Sequence, residues 1–296
     1  MPQAPSMKKL ISTYSPLVYG KYFNALSRLS KEYAAKKAFQ TFSKVRKGRV
    51  LPEQTAFLNR ARMAVEKVAD HQLQSYLWRG SKETVLLVHG WESNSFRWHK
   101  LIEFLQREDY NIIAFDAPGH GHSSGKRLHV PLYTICLHHM VEKYKPNYIA
   151  AHSVGGMTTL YHQYKHPISS IEKIATIGSP SEYHEIMEHY QKLLNLNDTV
   201  MEALNQHFKE HFGFTIQEFS TSKFVKTNTK KGLLFHDKFD NITPFHASEA
   251  VHANWKGSTL IATEGLGHSM HQDEVNQQII SFFNGLNKTA KQEVLF

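Results

Sequence analysis

Apolar positions along most of the chain alternate between two patterns. Continuous apolar runs of strand length recur from residue 84 to residue 263, as at 84–88 and 148–151. Between these runs, apolar residues at three- and four-residue spacing predict helices, for example over residues 132–143. Strands that alternate with helices predict an α/β fold with a mostly parallel central sheet and helices on both faces. Residues 64–68 and 73–78 precede this region and predict two edge strands.

Two segments depart from the alternation. Residues 20–47 carry apolar side chains at helical spacing with Lys and Arg on the other face, which predicts one amphipathic helix. Residues 181–228 contain helical patterns at 183–194, 199–212 and 215–219 and no strand pattern, which predicts an inserted helical cap. The predicted domains are an N-terminal helical extension (1–62), a core (63–180 and 229–287), the cap (181–228) and a C-terminal tail (288–296).

Composition indicates a folded protein. The 296 residues are 41% hydrophobic and 12% aromatic, and no apolar run approaches the roughly 20 residues that span a bilayer. The start of the chain lacks an uninterrupted apolar segment, so we expect no cleaved leader. The single Cys136 excludes an intramolecular disulfide and favours a reducing, cytoplasmic compartment. Its apolar neighbours predict a core thiol.

Positive charge is concentrated near the N-terminus. The net charge is +9, and residues 1–62 carry 13 Lys and Arg against only Glu32 and Glu53. No zinc-finger, helix-turn-helix or RNA-binding motif accompanies this charge, so nucleic acid is not an expected partner. The favoured interpretation is a helical arm that packs on its own domain with solvated charges. The alternative is a basic amphipathic helix that makes peripheral contact with an anionic membrane surface.

The pentapeptide Ala151-His-Ser-Val-Gly155 lies between a predicted strand and a predicted helix. A strand that turns sharply into a helix passes through one strained residue, whose side chain then projects above the sheet. The turn brings the residues two positions to either side together, so both must be small. Ala151 and Gly155 meet this requirement. Ser153 is therefore the predicted nucleophile.

A serine nucleophile needs a base and an acid that orients the base. His268 follows the last predicted strand on a Gly-Leu-Gly loop, and Asp237 and Asp240 follow the strand before it. In parallel sheets, ligands bind at the carboxyl ends of the strands, where these residues fall. We expect His268 to be the base and either Asp240 or Asp237 to be the orienting acid.

Backbone N–H groups for a developing oxyanion also have candidates. His89-Gly-Trp91 follows the predicted strand at 84–88, and Gly90 lets the backbone approach the site closely. The N–H of Trp91 and the N–H of Val154, the residue after the nucleophile, are the predicted oxyanion donors.

Several motifs occur together in an order that resembles the alpha/beta-hydrolase family. They are His89-Gly-Trp91, Phe115-Asp-Ala-Pro-Gly-His-Gly-His-Ser123, Ala151-His-Ser-Val-Gly155, Asp237-Lys-Phe-Asp240 and Gly267-His268. The resemblance covers roughly residues 63–286 and implies the alpha/beta-hydrolase fold, with Asp240 as the triad acid, Asp237 as the fallback and residues 181–228 as a lid. Ala151 stands where the family more often has Gly, and the basic N-terminal extension has no counterpart in the family's common core.

Other residues have simpler interpretations. His138 and His139 are adjacent and face different ways on a helix, and His207 and His211 have ligand spacing without the Glu of a metalloprotease motif. We therefore expect no metal and no cofactor. His152 precedes the nucleophile and is expected to pack or to orient a neighbour.

The predicted function is that of a serine hydrolase acting on a small-molecule carboxylic ester or thioester through an acyl-enzyme on Ser153. One alternative is carbon–carbon bond hydrolysis by the same residues. Another is a ligand-binding or membrane-surface protein that turns over little. Four aromatic residues of the cap either line an apolar pocket or form the core of the cap, namely Phe208, Phe212, Phe214 and Phe219.

Overall fold

Eight strands form one sheet in the computed structural model, which describes residues 7–286, with side chains from residue 15 onwards. The strands are Arg62–Val68 (β1), His71–Trp78 (β2), Thr84–Val88 (β3), Asn111–Phe115 (β4), Tyr148–His152 (β5), Lys173–Ile177 (β6), Lys231–Asp237 (β7) and Ser258–Thr263 (β8). The predicted tail, residues 288–296, lies outside the described residues.

Six of the strands are parallel and set the position of the site. The order is β1-β2-β4-β3-β5-β6-β7-β8, with parallel pairing from β4 through β8 and antiparallel pairing of β1 with β2 and of β2 with β4. This confirms the predicted fold class of a mostly parallel sheet with two additional strands at one edge. β3, β5 and β6 lie side by side, so the loops after them meet at one edge.

Helices follow most strands, as the alternation predicts. They are Met7–Leu26 (α1), Lys31–Phe42 (α2), Pro52–Leu58 (α3), His99–Arg107 (α4), Val130–Tyr144 (α5), Val154–Lys165 (α6), Tyr183–Leu194 (α7), Asp198–Phe212 (α8), Thr221–Phe224 (α9), His246–Asn254 (α10) and Asp273–Phe283 (α11). Short 3-10 helices cover Ser95–Trp98 and Val225–Thr227.

Apolar side chains fill both faces of the sheet. Buried residues of α4 and α11 pack on one face, and buried residues of α5, α6 and α10 pack on the other. The central strands are buried throughout because both faces are covered, which explains their continuous apolar sequences. Cys136 is a fully buried residue of the second core, as a core thiol should be.

The described chain divides into two compact units. One contains residues up to 44 together with Glu182–Ser220, and the other contains Val45–Ser181 and the chain from Thr221 onwards. The N-terminal extension predicted over 1–62 and the cap predicted over 181–228 therefore contribute most of their residues to one unit, while residues 45–62 and 221–228 belong to the sheet unit.

Packing between α2 and the inserted helices explains the smaller unit. Ala34, Ala35 and Ala38 of α2 are fully buried, and these small residues let α8 approach closely. The Tyr190 hydroxyl donates a hydrogen bond to the Ala38 carbonyl at 2.9 Å. Phe39 meets the ring of Phe208 edge-on at 5.4 Å. This arrangement fits the favoured interpretation of an arm that packs on its own protein.

Two helix predictions were wrong in detail. The helix predicted over 20–47 is two helices, because Ser30 accepts the Tyr33 N–H and starts α2 as its N-cap. Residues 215–219 form a turn, in which the Glu218 carboxylate accepts the Thr215 N–H and the Thr215 hydroxyl accepts the Glu218 N–H. Five residues closed by their own side chains do not need helical bonds.

The aromatic residues of the insertion form the core of the smaller unit. Phe208 and Phe219 are completely buried, and ring contacts link Phe208 to Phe212 and Phe214 to Phe219 at 5.4 and 5.1 Å. Phe208 and Phe219 therefore do not line an open pocket. In the described part of the chain, no helix combines the length and the apolarity that crossing a bilayer requires.

Candidate active site

Ser153 occupies the sharp turn between β5 and α6. Its backbone has φ 53° and ψ −127°, in the left-handed half of φ space that L-residues rarely occupy. The Ser153 N–H donates to the Ile177 carbonyl of β6 at 2.8 Å, and its own carbonyl accepts the Gly156 N–H at 2.9 Å. These bonds hold the strained residue between sheet and helix, and they place its side chain at the carboxyl edge of the sheet.

Two glycines let the backbone close around the elbow. A Cβ added to Gly155 would lie 2.5 Å from the His89 carbonyl oxygen, and one added to Gly90 would lie 3.0 Å from the Ser153 Cβ. The distance at Gly155 is shorter than real Cβ contacts, and its partner is backbone that cannot rotate away, whereas the distance at Gly90 is at the tight limit of such contacts. The small residue expected at 155 is therefore a requirement of β3 packing as well as of the turn.

His268 and Asp240 form a hydrogen-bonded pair. The distance from His268 Nδ1 to Asp240 Oδ2 is 2.7 Å, and the Asp240 side chain is fully buried. A carboxylate at Nδ1 holds the ring proton on that nitrogen, so Nε2 is left to accept a proton. The pair thus has the orientation that a base with its orienting acid requires.

Backbone donors keep the Asp240 carboxylate charged. Its Oδ1 accepts the N–H groups of Ile242 and Thr243 at 2.8 and 3.0 Å, and the Thr243 hydroxyl donates to Oδ2 at 2.9 Å. Burial alone would raise the pKa of Asp240, but the hydrogen bonds from His268 and from the two backbone N–H groups outweigh burial and lower it. The lowered pKa keeps Asp240 as the carboxylate that faces His268.

Asp237 shapes the loop that carries His268 without reaching the ring. Its carboxylate accepts the Leu266 N–H at 2.7 Å, the Thr263 hydroxyl at 3.0 Å and the Phe239 N–H at 3.0 Å. Burial opposes ionisation of Asp237, and the Leu266 and Phe239 N–H groups lower its pKa despite it. The two carboxylates therefore have different neighbours: Asp240 contacts the His268 ring, and Asp237 contacts the backbone of its loop.

Ser153 and His268 lie on either side of the end of β6. Gly178 follows the Ile177 carbonyl that binds the Ser153 N–H, and a Cβ on Gly178 would lie 3.1 Å from His268 Nδ1. Among the described residues, no hydrogen bond joins the Ser153 hydroxyl directly to the His268 ring. Catalytic hydrogen bonds are often longer before substrate binds.

His152 links the elbow to the loop of His268. Its Nε2 lies 3.0 Å from the His268 carbonyl oxygen, and the two rings are 4.7 Å apart. Burial, with the positive charge of Arg97 and the neighbouring His268 ring, holds the pKa of His152 well below its ordinary value. A neutral His152 donates its Nε2–H to that carbonyl. The residue orients the loop, as expected from its position beside the nucleophile.

The two predicted oxyanion donors belong to adjoining segments. β3 pairs with β5, and Gly90 in the loop after β3 touches Ser153, which precedes Val154 at the start of α6. Within the described chain, neither the Trp91 N–H nor the Val154 N–H makes a hydrogen bond. The first N–H groups of a helix have no intrahelical acceptor, so Val154 can serve an anion.

Two neutral histidines fix the loop that carries Trp91. His89 Nε2 accepts the Ala117 N–H at 2.9 Å while its Nδ1 lies 2.7 Å from the Gly90 carbonyl. His120 Nε2 accepts the Glu92 N–H at 3.0 Å. Burial lowers the pKa of His89 to about 4, so the ring keeps one acceptor and one donor nitrogen at neutral pH.

Asp116 is saturated and buried. Its carboxylate accepts the Ser95 N–H and hydroxyl at 2.9 and 2.8 Å, the Tyr76 hydroxyl at 2.9 Å and the His122 N–H at 2.9 Å. The four donors satisfy the buried carboxylate and fix its position in the fold. Asp116 therefore has a structural role, in joining the loop after β4 to Ser95 and to Tyr76 of β2.

Sequence comparisons connect the chain with serine hydrolases. A family model described as serine aminopeptidase, S33, matches residues 79–212. A serine hydrolase-like protein of Danio rerio is 30% identical over 134 residues, which are 42% of this chain and 41% of that protein. A monoacylglycerol lipase of Xenopus laevis is 30% identical over 110 residues, 33% of this chain and 32% of the lipase. The chain spans less than half the length of these curated relatives.

Solved structures share the fold. Alpha/beta hydrolase domain-containing protein 10 from mouse superposes with a TM-score of 0.58 at 17% identity, covering 76% of this chain and 98% of that protein. The chain has the alpha/beta-hydrolase fold. A meta-cleavage product hydrolase from Pseudomonas fluorescens shares this fold, with a TM-score of 0.58 at 15% identity over 76% of this chain and 98% of the other.

A groove with a positively charged lining includes residues of the loops that follow Trp91 and His268. It has a volume of about 610 Å³, and its lining includes Glu92 and Ser93 after the oxyanion loop and His271 after the His268 loop. The charged lining residues are Arg46, Lys47, Arg49 and Arg97 against one acid, Glu92. The Arg97 guanidinium donates to the Ser269 carbonyl at 2.9 Å, which holds it beside the base loop.

Sequence reasoning missed the residues that support Asp240. The Thr243 hydroxyl donates to Asp240 Oδ2, and His236 Nε2 lies 3.6 Å from that oxygen. The same nitrogen of His236 lies 2.9 Å from the Thr243 carbonyl oxygen. The spacing Asp-x-x-Thr was a usable signal, because an Asp side chain commonly accepts N–H groups two and three residues on. His236 carried no such signal, since its position depends on the fold of the whole loop.

Proposed function

We propose that this protein of the alpha/beta-hydrolase fold is a serine hydrolase that cleaves a carboxylic ester or thioester. The observation that carries the proposal is a serine held at positive φ on a strand–helix turn, beside a histidine whose Nδ1 is bound to a buried carboxylate. A strained, projecting serine and an oriented neutral imidazole are the two parts that acyl transfer needs.

The first half of the reaction forms an acyl-enzyme. His268 Nε2 takes the proton of the Ser153 hydroxyl as the oxygen attacks the substrate carbonyl. The negative charge moves to the carbonyl oxygen, where the N–H groups of Trp91 and Val154 stabilise it. The tetrahedral intermediate then collapses, and the proton on His268 passes to the departing alcohol or thiol.

Water completes the reaction by the same route. His268 takes a proton from water, which attacks the acyl carbon, and returns that proton to Ser153 as the acid product leaves. Asp240 stays ionised and stabilises the imidazolium formed in each half. No step requires a metal or an organic cofactor. The proton that Ser153 gives to the departing alcohol or thiol is replaced by one from water, so the enzyme ends as it began.

An ester-like substrate is favoured by the relatives and by the chemistry. The Xenopus relative is named a monoacylglycerol lipase, which is an ester hydrolase. Alcohol and thiol leaving groups need less proton assistance than amines, so an ester or thioester is an easier substrate than an amide for these residues. The proposal includes a role for the inserted residues 181–228 as a lid that selects the acyl group.

The cationic groove supports a negatively charged substituent on the substrate. Four Lys and Arg side chains against Glu92 leave the lining with excess positive charge. His271 does not add to it, because burial and the charges of Arg97, His99 and Lys100 lower the pKa of His271 to about 4. A carboxylate or phosphate attached to the ester would neutralise this excess next to the reacting carbonyl.

Paired substrates test the charged substituent. Replacing Lys47 or Arg97 with Gln should lower kcat/KM for the p-nitrophenyl monoester of glutaric acid about tenfold more than for p-nitrophenyl butyrate, as the loss of one charge-assisted contact implies. The ratio of the two esters corrects for any change at Ser269. Lys100→Gln, a charge outside the lining, is the control. An unchanged ratio in both groove variants refutes the proposal for the groove while leaving ester hydrolysis intact.

A fluorophosphonate probe tests the nucleophile. The wild-type chain should be labelled covalently at Ser153, and Ser153→Ala should not be labelled although it folds equally well. Ser179→Ala is a matched control, because Ser179 is also buried near the elbow, with its hydroxyl 3.3 Å from the Ser153 carbonyl. Folded wild-type protein that resists the probe and hydrolyses no aryl ester would remove the acyl-enzyme proposal.

Carbon–carbon bond hydrolysis is the second candidate. A meta-cleavage product hydrolase has the same fold, and that likeness concerns the fold alone. Turnover of a vinylogous diketone by the wild-type chain, with aryl esters of acyl chains from two to twelve carbons left intact, would favour this candidate over ester hydrolysis.

Peripheral membrane contact through the N-terminal helices stays a proposal. Val18 is 65% exposed and Tyr22 is 49% exposed on α1. Deleting the arm would also remove α2 from its packing on α8, so point substitution of Val18 and Tyr22 by Ser is the cleaner test. Sedimentation with anionic liposomes that is equal for variant and wild type would exclude this contact.

A further inference from the structure

Three histidines converge where α5 and α6 pack together. They are His138 on α5, His162 on α6 and His166 at the end of α6. One ring nitrogen from each lies within 4.8 Å of the others. His162 is fully buried, and the other two are half-buried. The cluster is outside the proposed active site, and the mechanism uses none of its members.

The spacing of the nitrogens suits a tetrahedral metal ion. His138 Nδ1 and His162 Nε2 are 3.3 Å apart. Zinc–nitrogen bonds of about 2.0–2.1 Å at tetrahedral angles place two ligand nitrogens about 3.4 Å apart. His162 and His166 are four residues apart and therefore project from the same face of α6.

One ring must turn for all three to ligate together. The rings of His138 and His166 stack face to face, with centroids 3.8 Å apart, and parallel rings cannot both direct a lone pair at one ion. Rotation about the Cβ–Cγ bond of a histidine meets only a low barrier, and both residues are partly open to solvent. The same opening gives the ion a path of entry.

Neighbouring residues complete the site. Gln163 lies 2.9 Å from His162 Nδ1, the nitrogen that would not ligate. With its amide turned so that the oxygen faces the ring, Gln163 would accept that N–H and fix the tautomer in which Nε2 is free to bind. Glu142 stands four residues after His138 on the same face of α5, where its carboxylate can supply a fourth ligand.

We propose that His138, His162 and His166 bind a zinc ion that ties α5 to α6. Imidazole ligands suit Zn²⁺ and related divalent ions such as Co²⁺ and Ni²⁺, and exclude Mg²⁺ and Ca²⁺ as preferred occupants. At 1.5 Å per helical residue, His162 lies about 12 Å along α6 from its first residue and His166 about 18 Å. The ion is therefore structural, and ester hydrolysis does not depend on it.

Metal titration of the full chain without a polyhistidine tag tests the site. Zn²⁺ should bind with one-to-one stoichiometry and a micromolar or tighter Kd, and Co²⁺ should give the intense visible absorption of tetrahedral coordination. His162→Gln should weaken binding at least about 100-fold and His166→Gln at least about tenfold. His139→Gln, a change at the adjacent residue of α5, should leave Kd unchanged.

Stability and activity give independent readouts. Zn²⁺ at about 100 times the wild-type Kd should raise the melting temperature of wild type by about 5 °C and that of the His166→Gln variant by at most about half as much. Chelation should not alter the rate of ester cleavage. Zinc binding with the wild-type Kd in both variants, or no zinc binding by the wild-type chain, overturns the proposal. Because His166 is half-exposed, its variant keeps the test valid if His162→Gln fails to fold.

Discussion

Replacing Asp240 with Asn tests the proposed triad, because the change keeps the shape of the side chain and removes its charge. The Asp240 Oδ1 accepts two backbone N–H groups, and Oδ2 faces His268 Nδ1 at 2.7 Å. In the variant, the amide oxygen stays with the backbone N–H groups and the NH2 group faces His268. Nδ1 must then accept a hydrogen bond, which moves the ring proton to Nε2. A protonated Nε2 cannot take the proton of Ser153.

The expected loss follows from this change of tautomer. The equivalent Asn substitution in a serine protease triad lowers kcat about 10⁴-fold, and a loss of that size corresponds to about 5.5 kcal/mol in the barrier. We expect a loss of the same order in kcat for Asp240→Asn. KM should change by less than about threefold, because the acid does not contact the substrate.

Asp237→Asn is the matched comparison. The Asp237 carboxylate accepts hydrogen bonds from Leu266, Phe239 and Thr263 and does not contact the His268 ring. Weakening these charge-assisted bonds should lower the free energy of unfolding by about 3 kcal/mol while the folded fraction keeps kcat within about tenfold. Burst kinetics with an aryl ester, normalised to sites counted by fluorophosphonate, measure kcat, and urea unfolding measures stability. A folded Asp237→Asn variant whose kcat falls 10⁴-fold, together with an Asp240→Asn variant that keeps its activity, would refute the assignment of Asp240 as the orienting acid.

Three further predictions concern the oxyanion loop, the elbow and the β1–α5 contact. Trp91→Pro removes one oxyanion N–H and should lower kcat about 10²–10³-fold, whereas Trp91→Ala keeps that N–H and should lose far less; steady-state kinetics on folded protein compare them. Gly155→Ala places a Cβ 2.5 Å from the His89 carbonyl oxygen and should cost about 3 kcal/mol of unfolding free energy by urea titration, and a cost under about 1 kcal/mol would contradict the packing described. Burial opposes ionisation of Glu66, yet hydrogen bonds from Lys143 and Tyr144 hold its pKa below the ordinary value of 4.5. The ionised Glu66 therefore adds to the free energy of unfolding above pH 4.5, and this contribution is lost as the pH falls below that value. Glu66→Gln should therefore destabilise the chain by about 1–3 kcal/mol at pH 7, and thermal unfolding should show the difference from wild type narrowing below pH 4.5.

The sheet could be predicted because its strands have simple sequence patterns. Buried parallel strands are continuous apolar runs, and each predicted run became a strand in the structure. The elbow was predictable for the same reason, because its geometry requires small residues two positions to either side of Ser153, and these are close neighbours in the sequence. Whether Ser153, His268 and Asp240 act together stays a prediction for the kinetic experiments.

Long-range packing could not be predicted. Helical periodicity indicates that α2 has an apolar face, but it does not identify α8 as the partner of that face, some 160 residues later in the chain. The same limit hid the histidine cluster, because His138 and His162 lie on different helices that only the fold brings together. Helix spacing within one segment drew attention to His207 and His211 instead.

The joint packing of α2 with the inserted helices has a consequence for how this protein can be altered. Residues from two distant stretches of the gene make one cooperative module, so neither stretch is an independent part that can be exchanged alone. A chimaera that imports an insertion from another hydrolase would leave Ala34, Ala35 and Phe39 facing a surface to which they are not fitted. Removal of the N-terminal helices would likewise expose the apolar face of the native insertion. Recombination that aims to transplant selectivity must therefore move both stretches together.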